Sequence, residues 1–164
     1  VSCAKAFEAG AKRSGEAVDT VISVFVSRVD RAIDEQLAKS GVEVSLSGIY
    51  NSADIYSEIE KLNVEKCRTL FASTGVKGHE LVPHYYIENL IAYNSVNTAP
   101  IDTIDAYVSM GVKEKALPIP DDVIKEHFSK VKAAGIDMDE VYAKQIADGL
   151  QAFKDAFQDI LESL

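Results

Sequence analysis

Three short apolar runs, separated by longer segments with helical periodicity, constrain the fold of this chain more than any other feature. The runs lie at about 20–26, 68–74 and 94–100. Strands that alternate with helices favour parallel pairing through βαβ units. A parallel sheet is buried on both faces, which suits strands that are apolar throughout. We therefore predict an α/β fold around a parallel sheet.

The remaining segments place apolar residues at helical spacing. Helices are predicted at about 1–13, 28–39, 47–61, 101–111, 120–135 and 137–162, with one more helical turn near the end of a loop at 74–89. Three parallel strands would leave two sheet edges unpaired. The pattern therefore indicates either an unusual small α/β domain or a part of a larger barrel.

Composition narrows the range of functions. The chain has 164 residues and a net charge of −9, which argues against a general nucleic-acid binder but still allows one small basic pocket for a phosphorylated metabolite. No apolar stretch approaches the roughly 18 residues of a membrane span. The two cysteines lie far apart without a CxxC motif, which favours a reducing, cytoplasmic location.

Polar side chains follow each predicted strand, where parallel α/β folds place functional residues. The three junctions carry Ser23, Ser27 and Arg28; then Ser73, Thr74, Gly75 and Lys77; then Asn97 and Thr98. Two junctions thus combine hydroxyls, one cation and small residues. This combination suits an oxyanion such as phosphate, which arginine binds as a fork and lysine as a point charge.

Other interpretations of these residues stay open at this point. Arg28 could instead follow a helix cap and form a surface ion pair with Asp30 or Asp34. Lys77 could be a Schiff-base nucleophile, which would require a dry pocket. The three histidines, at positions 79, 84 and 127, are scattered along the chain. We expect them at the surface and predict no metal site.

Four segments resemble the transaldolase family, and most closely its bacterial and plant-type branch. They are "VDTVISVFVSRVDRAID", "RTLFASTGVKG", "NSVNTAP" and "GLQAFKDAFQDIL", in the family's order. The resemblance implies a (β/α)8 barrel enzyme of the non-oxidative pentose phosphate pathway. Such enzymes transfer a dihydroxyacetone unit between sugar phosphates through a lysine Schiff base, with no cofactor and no metal.

The resemblance also assigns site residues. Ser23 and Arg28 match the family's substrate-phosphate residues on the sixth strand. Ser73 and Lys77 fall in the corresponding segment of the seventh strand, although many relatives have an arginine near there, which leaves the role of Lys77 open. The family's Schiff-base lysine, its acid/base carboxylates and its water-positioning threonine lie on earlier strands, which would precede Val1.

Residues 1–164 are therefore expected to form the C-terminal half of one barrel, strands six to eight, with no catalytic residue of their own and no activity alone. The expected partners are sugar phosphates and the missing N-terminal half-barrel, with no nucleic acid and no membrane; a homodimer is left open. Two alternatives remain. One is a fructose-6-phosphate-type aldolase, although such chains lack so long a C-terminal tail. The other is a non-catalytic α/β interaction module.

Overall fold

A computed structural model of the chain describes residues 2–77 and 81–163. Its sheet has three parallel strands in the order β1-β2-β3, with β1 at Thr20–Phe25, β2 at Cys67–Ala72 and β3 at Ser95–Asn97. The predicted α/β class with a parallel sheet is confirmed. The third strand is shorter than predicted because the chain leaves the sheet before Pro100, which opens the next helix.

Helices connect and follow the strands, close to the predicted positions. They are α1 (Ser2–Ser14), α2 (Ser27–Lys39), α3 (Ser47–Leu62), α4 (Tyr85–Glu88), α5 (Ile101–Met110), α6 (Asp121–Ala133) and α7 (Met138–Glu162). Val1, included in the first predicted helix, lies outside the described residues. The short α4 is the helical turn expected near the end of the loop after β2.

The main core lies between one face of the sheet and helix α3. Val24 of β1 and Phe71 of β2 pack with Ile49, Ala53 and Tyr56 of α3, and all five are 6% exposed or less. A second apolar cluster joins α2 to α6. These contacts fix the direction of β1 and of the helix that follows it, and so position the junction between them.

The opposite face of the sheet is open in the described part of the chain. Side chains alternate along a strand, so Val21, Ser23 and Phe25 lie on this face, with Leu70 beside Ser23 in the register. Val21 is 40% exposed and Phe25 is 50% exposed. We call this surface the open face. The prediction that both faces are buried is therefore wrong for the residues described, where helices cover one face only.

Helix α7 carries a second exposed apolar surface. Its first turns are anchored, because Tyr142 Oη donates to Asn51 Oδ1 at 2.7 Å and Gln145 Nε2 donates to the carbonyl of Arg28 at 2.8 Å. Further along, the helix carries a stripe of apolar side chains that are more than half exposed, at Ile146, Leu150, Phe153, Phe157, Ile160 and Leu161. Across the described ranges, no helix combines the length and the apolar character that crossing a bilayer requires.

Candidate functional site

The carboxyl ends of β1 and β2 stay hydrogen-bonded beyond the strands themselves. The N–H of Val26 donates to the carbonyl of Ala72 at 2.9 Å, and the N–H of Ser27 donates to the carbonyl of Ser73 at 3.1 Å. The side chains of Ser27 and Ser73 also pair, with 3.1 Å between their Oγ atoms. The structure thus brings together hydroxyls that are 46 positions apart in the sequence.

Ser73 makes this arrangement through an unusual backbone conformation. Its φ of +57° lies in the left-handed region, which is uncommon for a residue other than glycine. The turn directs the next residue, Thr74, into the interior, where its hydroxyl donates to the carbonyl of Thr98 at 2.6 Å. The ends of all three strands are therefore linked, and such strained residues are concentrated at functional sites.

Arg28 lies on the open face, at the first turn of α2. Its guanidinium carbon is 4.1 Å from the centroid of the Phe25 ring. Side chains two positions apart in a strand lie on the same face, so Ser23 and Phe25 share the open face. With Arg28 stacked on Phe25, the three residues form one surface at the end of β1. A guanidinium stacked on a ring keeps its N–H edges available for an anion.

The alternative of a surface ion pair for Arg28 is wrong. Asp30 is 1% exposed, and its Oδ1 accepts the backbone N–H of Gly48 at 2.7 Å. Asp34 accepts the backbone N–H of Ser45 at 3.1 Å. Within residues 2–77 and 81–163, no carboxylate pairs with Arg28. The guanidinium of Arg28 is thus not neutralised by either of these aspartates.

The sequence did not indicate that the carboxylate of Asp30 would be buried. Its Oδ2 accepts the hydroxyl of Tyr86 at 2.8 Å, so both carboxylate oxygens are bound inside the protein. Burial raises the pKa of Asp30 to about 6, although its hydrogen bonds oppose the shift. An aspartate in the first turn of a helix is ordinarily explained by the helix dipole, so no local signal distinguished this one.

Lys77 lies in the loop between β2 and α4 and is exposed. In the described part of the chain it forms no ion pair, and nothing joins it to the serine pair. A nucleophilic lysine needs a desolvated pocket to lower its pKa. The exposure of Lys77 therefore does not favour the Schiff-base alternative for this residue.

The expectation of surface histidines is wrong for both histidines that the structure describes. His84 and His127 are 5% and 6% exposed. His127 Nε2 lies 2.7 Å from Ser47 Oγ, and burial lowers the pKa of this imidazole. His84 Nε2 lies 3.3 Å from a carboxylate oxygen of Glu88. His79 lies outside the described residues.

Comparison with known proteins places the chain in a family. The family described as Transaldolase/Fructose-6-phosphate aldolase matches residues 1–164. A transaldolase of Helicobacter pylori (strain ATCC 700392 / 26695) is 38% identical over 143 residues, which cover 87% of this chain and 45% of that protein. A transaldolase of Campylobacter jejuni subsp. jejuni serotype O:23/36 (strain 81-176) is 39% identical over 144 residues, which cover 88% of this chain and 42% of that protein. The chain spans less than half the length of these relatives, and it belongs to the transaldolase/fructose-6-phosphate aldolase family.

Proposed function

We propose that this chain supplies the phosphate-binding end of a transaldolase active site. The whole polypeptide would transfer a dihydroxyacetone unit from sedoheptulose 7-phosphate or fructose 6-phosphate to an aldose phosphate. The observation that carries this proposal is the position of Arg28, stacked on Phe25 above the open face. The serine pair, Ser27 and Ser73, adds hydroxyls at the same end of the sheet.

These groups match the chemistry of a sugar phosphate. Arg28 offers charge-assisted and bidentate hydrogen bonds, each worth about 1.5–3 kcal/mol. Ser23 and Ser73 offer neutral donors, and Lys77 a point charge from the adjoining loop. Donor and acceptor sugars both carry the phosphate at the end far from the carbonyl carbon. One anion site would therefore serve both half-reactions.

The covalent chemistry would come from residues outside this chain. A lysine amine would condense with the ketose carbonyl and release water, forming an imine. Loss of the C4 hydroxyl proton to a base would break the C3–C4 bond and release an aldose phosphate, leaving a three-carbon enamine on the lysine. C3 of this enamine would then add to the aldehyde of the acceptor, whose oxygen would take up a proton. Hydrolysis of the imine would free the new ketose and regenerate the lysine. The reaction requires no cofactor and no metal.

The same proposal places the chain in a barrel. Within the described residues, β1 and β3 each pair with β2 alone. Strands of an N-terminal half would pair with these two edges, close a (β/α)8 barrel and turn the open face into its interior. We place this enzyme in the cytoplasm, in the non-oxidative pentose phosphate pathway, and expect residues 1–164 alone to be inactive.

Trapping the imine tests where the nucleophile lies. The full-length polypeptide is treated with borohydride in the presence of fructose 6-phosphate and mapped by peptide mass spectrometry. We expect the reduced adduct on a lysine outside residues 1–164. An adduct on Lys77, or on any other lysine of this chain, would overturn the assignment.

Substitution of Arg28 tests the phosphate site. In the full-length enzyme, Arg28→Ala should raise KM for phosphorylated sugars about tenfold to several hundredfold, at about 1.4 kcal/mol per factor of ten. Arg28→Lys should recover only a part, since a point charge does not reproduce the fork. Ser23→Ala, Ser73→Ala and Lys77→Ala should raise KM in the same direction, the two serine variants more weakly.

Unphosphorylated fructose provides the control for these variants. If the four residues bind the phosphate, the variants should convert fructose about as poorly as the wild type does. Equal losses with fructose and fructose 6-phosphate would mean that Arg28 merely stabilises the junction of β1 and α2. The phosphate assignment would then be wrong.

A further inference from the structure

The first turn of helix α2, which carries Arg28, is bound to two other segments of the chain. Ser27 is bound to Ser73, just after β2, through the backbone at 3.1 Å and through the paired hydroxyls at 3.1 Å. Asp30 Oδ2 accepts the hydroxyl of Tyr86 in α4 at 2.8 Å. Ser27 and Asp30 lie on either side of Arg28 in the same helical turn. Arg28 therefore lies between two points at which this turn is held.

Asp30 is suited to hold these segments because all of its described partners are donors. Oδ1 accepts the N–H of Gly48 in the first turn of α3, and Oδ2 accepts the phenol of Tyr86. A negative charge at a helix N-terminus is further stabilised by the helix dipole. The single carboxylate thus joins α2, α3 and α4, three elements that surround the carboxyl end of β1.

The approach of α3 to this carboxylate is close. A Cβ atom on Gly48 would lie 2.5 Å from the carbonyl oxygen of Val26 and 2.7 Å from Asp30 Oδ2, so only glycine is accommodated there without movement. Tyr86 is itself 4% exposed and belongs to the main core. The distances that separate Asp30 from α3 and from α4 therefore have little freedom to change.

We infer that Asp30 and Tyr86 are positioning residues for the phosphate site, which hold the first turn of α2, and with it Arg28, in place at the carboxyl end of β1. The inference rests on the proposed function. Asp30 is 1% exposed, so it acts through Arg28 and not by touching the substrate. Anion binding by a guanidinium depends on such support, because a small displacement weakens the charge-assisted bonds.

The test uses Asp30→Asn, Tyr86→Phe and their combination in the full-length enzyme. Asparagine keeps an acceptor for Gly48 but not the charge, and phenylalanine keeps the ring without the hydroxyl. We expect KM for fructose 6-phosphate and the inhibition constant of inorganic sulfate to rise together, about three- to thirtyfold, with kcat changed by less than about twofold. Because the two residues act as a pair, KM and the sulfate inhibition constant of the double variant should lie within about twofold of those of the stronger single variant.

Tyr85→Phe is the matched control. It removes a neighbouring phenol, which donates to the carbonyl of Ser45 at 3.1 Å, and it should leave KM and the sulfate constant unchanged. A purely structural role would lower the melting temperature of Tyr86→Phe while KM and sulfate inhibition stayed at wild-type values. That result would overturn the inference, and Tyr86→Phe keeps the test valid even where Asp30→Asn fails to fold.

Arg28→Ala, measured in parallel, separates this inference from the proposed function. If Arg28→Ala weakens sulfate inhibition but Asp30→Asn and Tyr86→Phe do not, the positioning role alone is wrong. If Arg28→Ala leaves sulfate inhibition unchanged, the phosphate site and the positioning role both fall. The inference is supported when all three substitutions weaken sulfate inhibition and Tyr85→Phe does not.

Discussion

Gly48→Ala should destabilise the protein through a steric clash that the structure locates at the start of α3. The added methyl group would lie 2.5 Å from the carbonyl oxygen of Val26 and 2.7 Å from Asp30 Oδ2. Neither neighbour can move freely. The Val26 carbonyl accepts the N–H of Val29 at 3.1 Å, and Asp30 is held by Tyr86 as well as by Gly48 itself.

The size of the effect follows from these contacts. Overpacking a well-packed site costs about 1–3 kcal/mol. Moving α3 away to relieve the clash would stretch the bond from Gly48 N–H to the buried carboxylate, and hydrogen bonds to charged groups contribute about 1.5–3 kcal/mol. Alanine regains less than about 1 kcal/mol of helix propensity over glycine. We therefore expect the free energy of unfolding to fall by about 2–4 kcal/mol.

Urea denaturation of the full-length protein measures this change as a lower midpoint. Gly149→Ala in α7 and Gly10→Ala in α1 are matched controls, because a Cβ at either position has no heavy atom within 4 Å. Both helices should gain about 0.5–1 kcal/mol from the same change of residue. If Gly48→Ala matched these controls in sign, the close approach of α3 to Asp30 would be refuted.

Further predictions concern pH and association. Burial lowers the pKa of His127, so the unfolded chain takes up the proton first, and stability should fall as the pH falls below about 6.5; urea titrations of His127→Gln should lack that loss. The effect of Asp30 on stability has the opposite sign. Its pKa is raised from 3.8 to about 6, so the folded state binds the proton before the unfolded state does. The contribution of Asp30 to the free energy of unfolding should therefore grow as the pH falls through that range. Asp30→Asn should remove this gain, and a variant with an unchanged pH profile would contradict the burial of the carboxylate. Residues 1–164 expressed alone should self-associate, because Phe153 and Phe157 are 80% and 62% exposed; Phe153→Ser with Phe157→Ser should reduce association in size-exclusion chromatography, and a monodisperse, cooperatively folding wild-type fragment would refute this.

Local patterns in the sequence were sufficient for the secondary structure. Apolar runs mark β1 and β2 because a strand packed on helices needs apolar side chains, and the 3.6-residue spacing of α7 is regular over its whole length. The apolar character of β1 did not predict that Phe25 would be half exposed. Periodicity shows which residues of a strand are apolar. Whether they are buried depends on whether another element packs on that face of the sheet.

The site was predicted only as far as neighbouring residues determine it. Arg28 and Ser73 were placed correctly at strand ends, since the carboxyl ends of parallel strands meet at one edge. The partners were not predictable, because Tyr86 is 56 positions from Asp30 and His127 is 80 positions from Ser47. Buried polar side chains require such distant partners. Polarity alone therefore assigned Asp30 and His127 to the surface, where neither lies.

The residues that hold Arg28 in place and the surface that its guanidinium faces belong to different parts of the molecule. Its backbone carbonyl is held by Gln145 of α7, and its ring platform is Phe25 of β1. These supports lie within this chain, so the direction of the guanidinium is determined here. The strength with which the guanidinium attracts an anion is not determined by these supports. The open face leaves Phe25 50% exposed, and water weakens charge–charge attraction. If Arg28 binds phosphate as proposed, a cover over the open face would exclude that water and strengthen the attraction between the guanidinium and the anion without changing any contact described here.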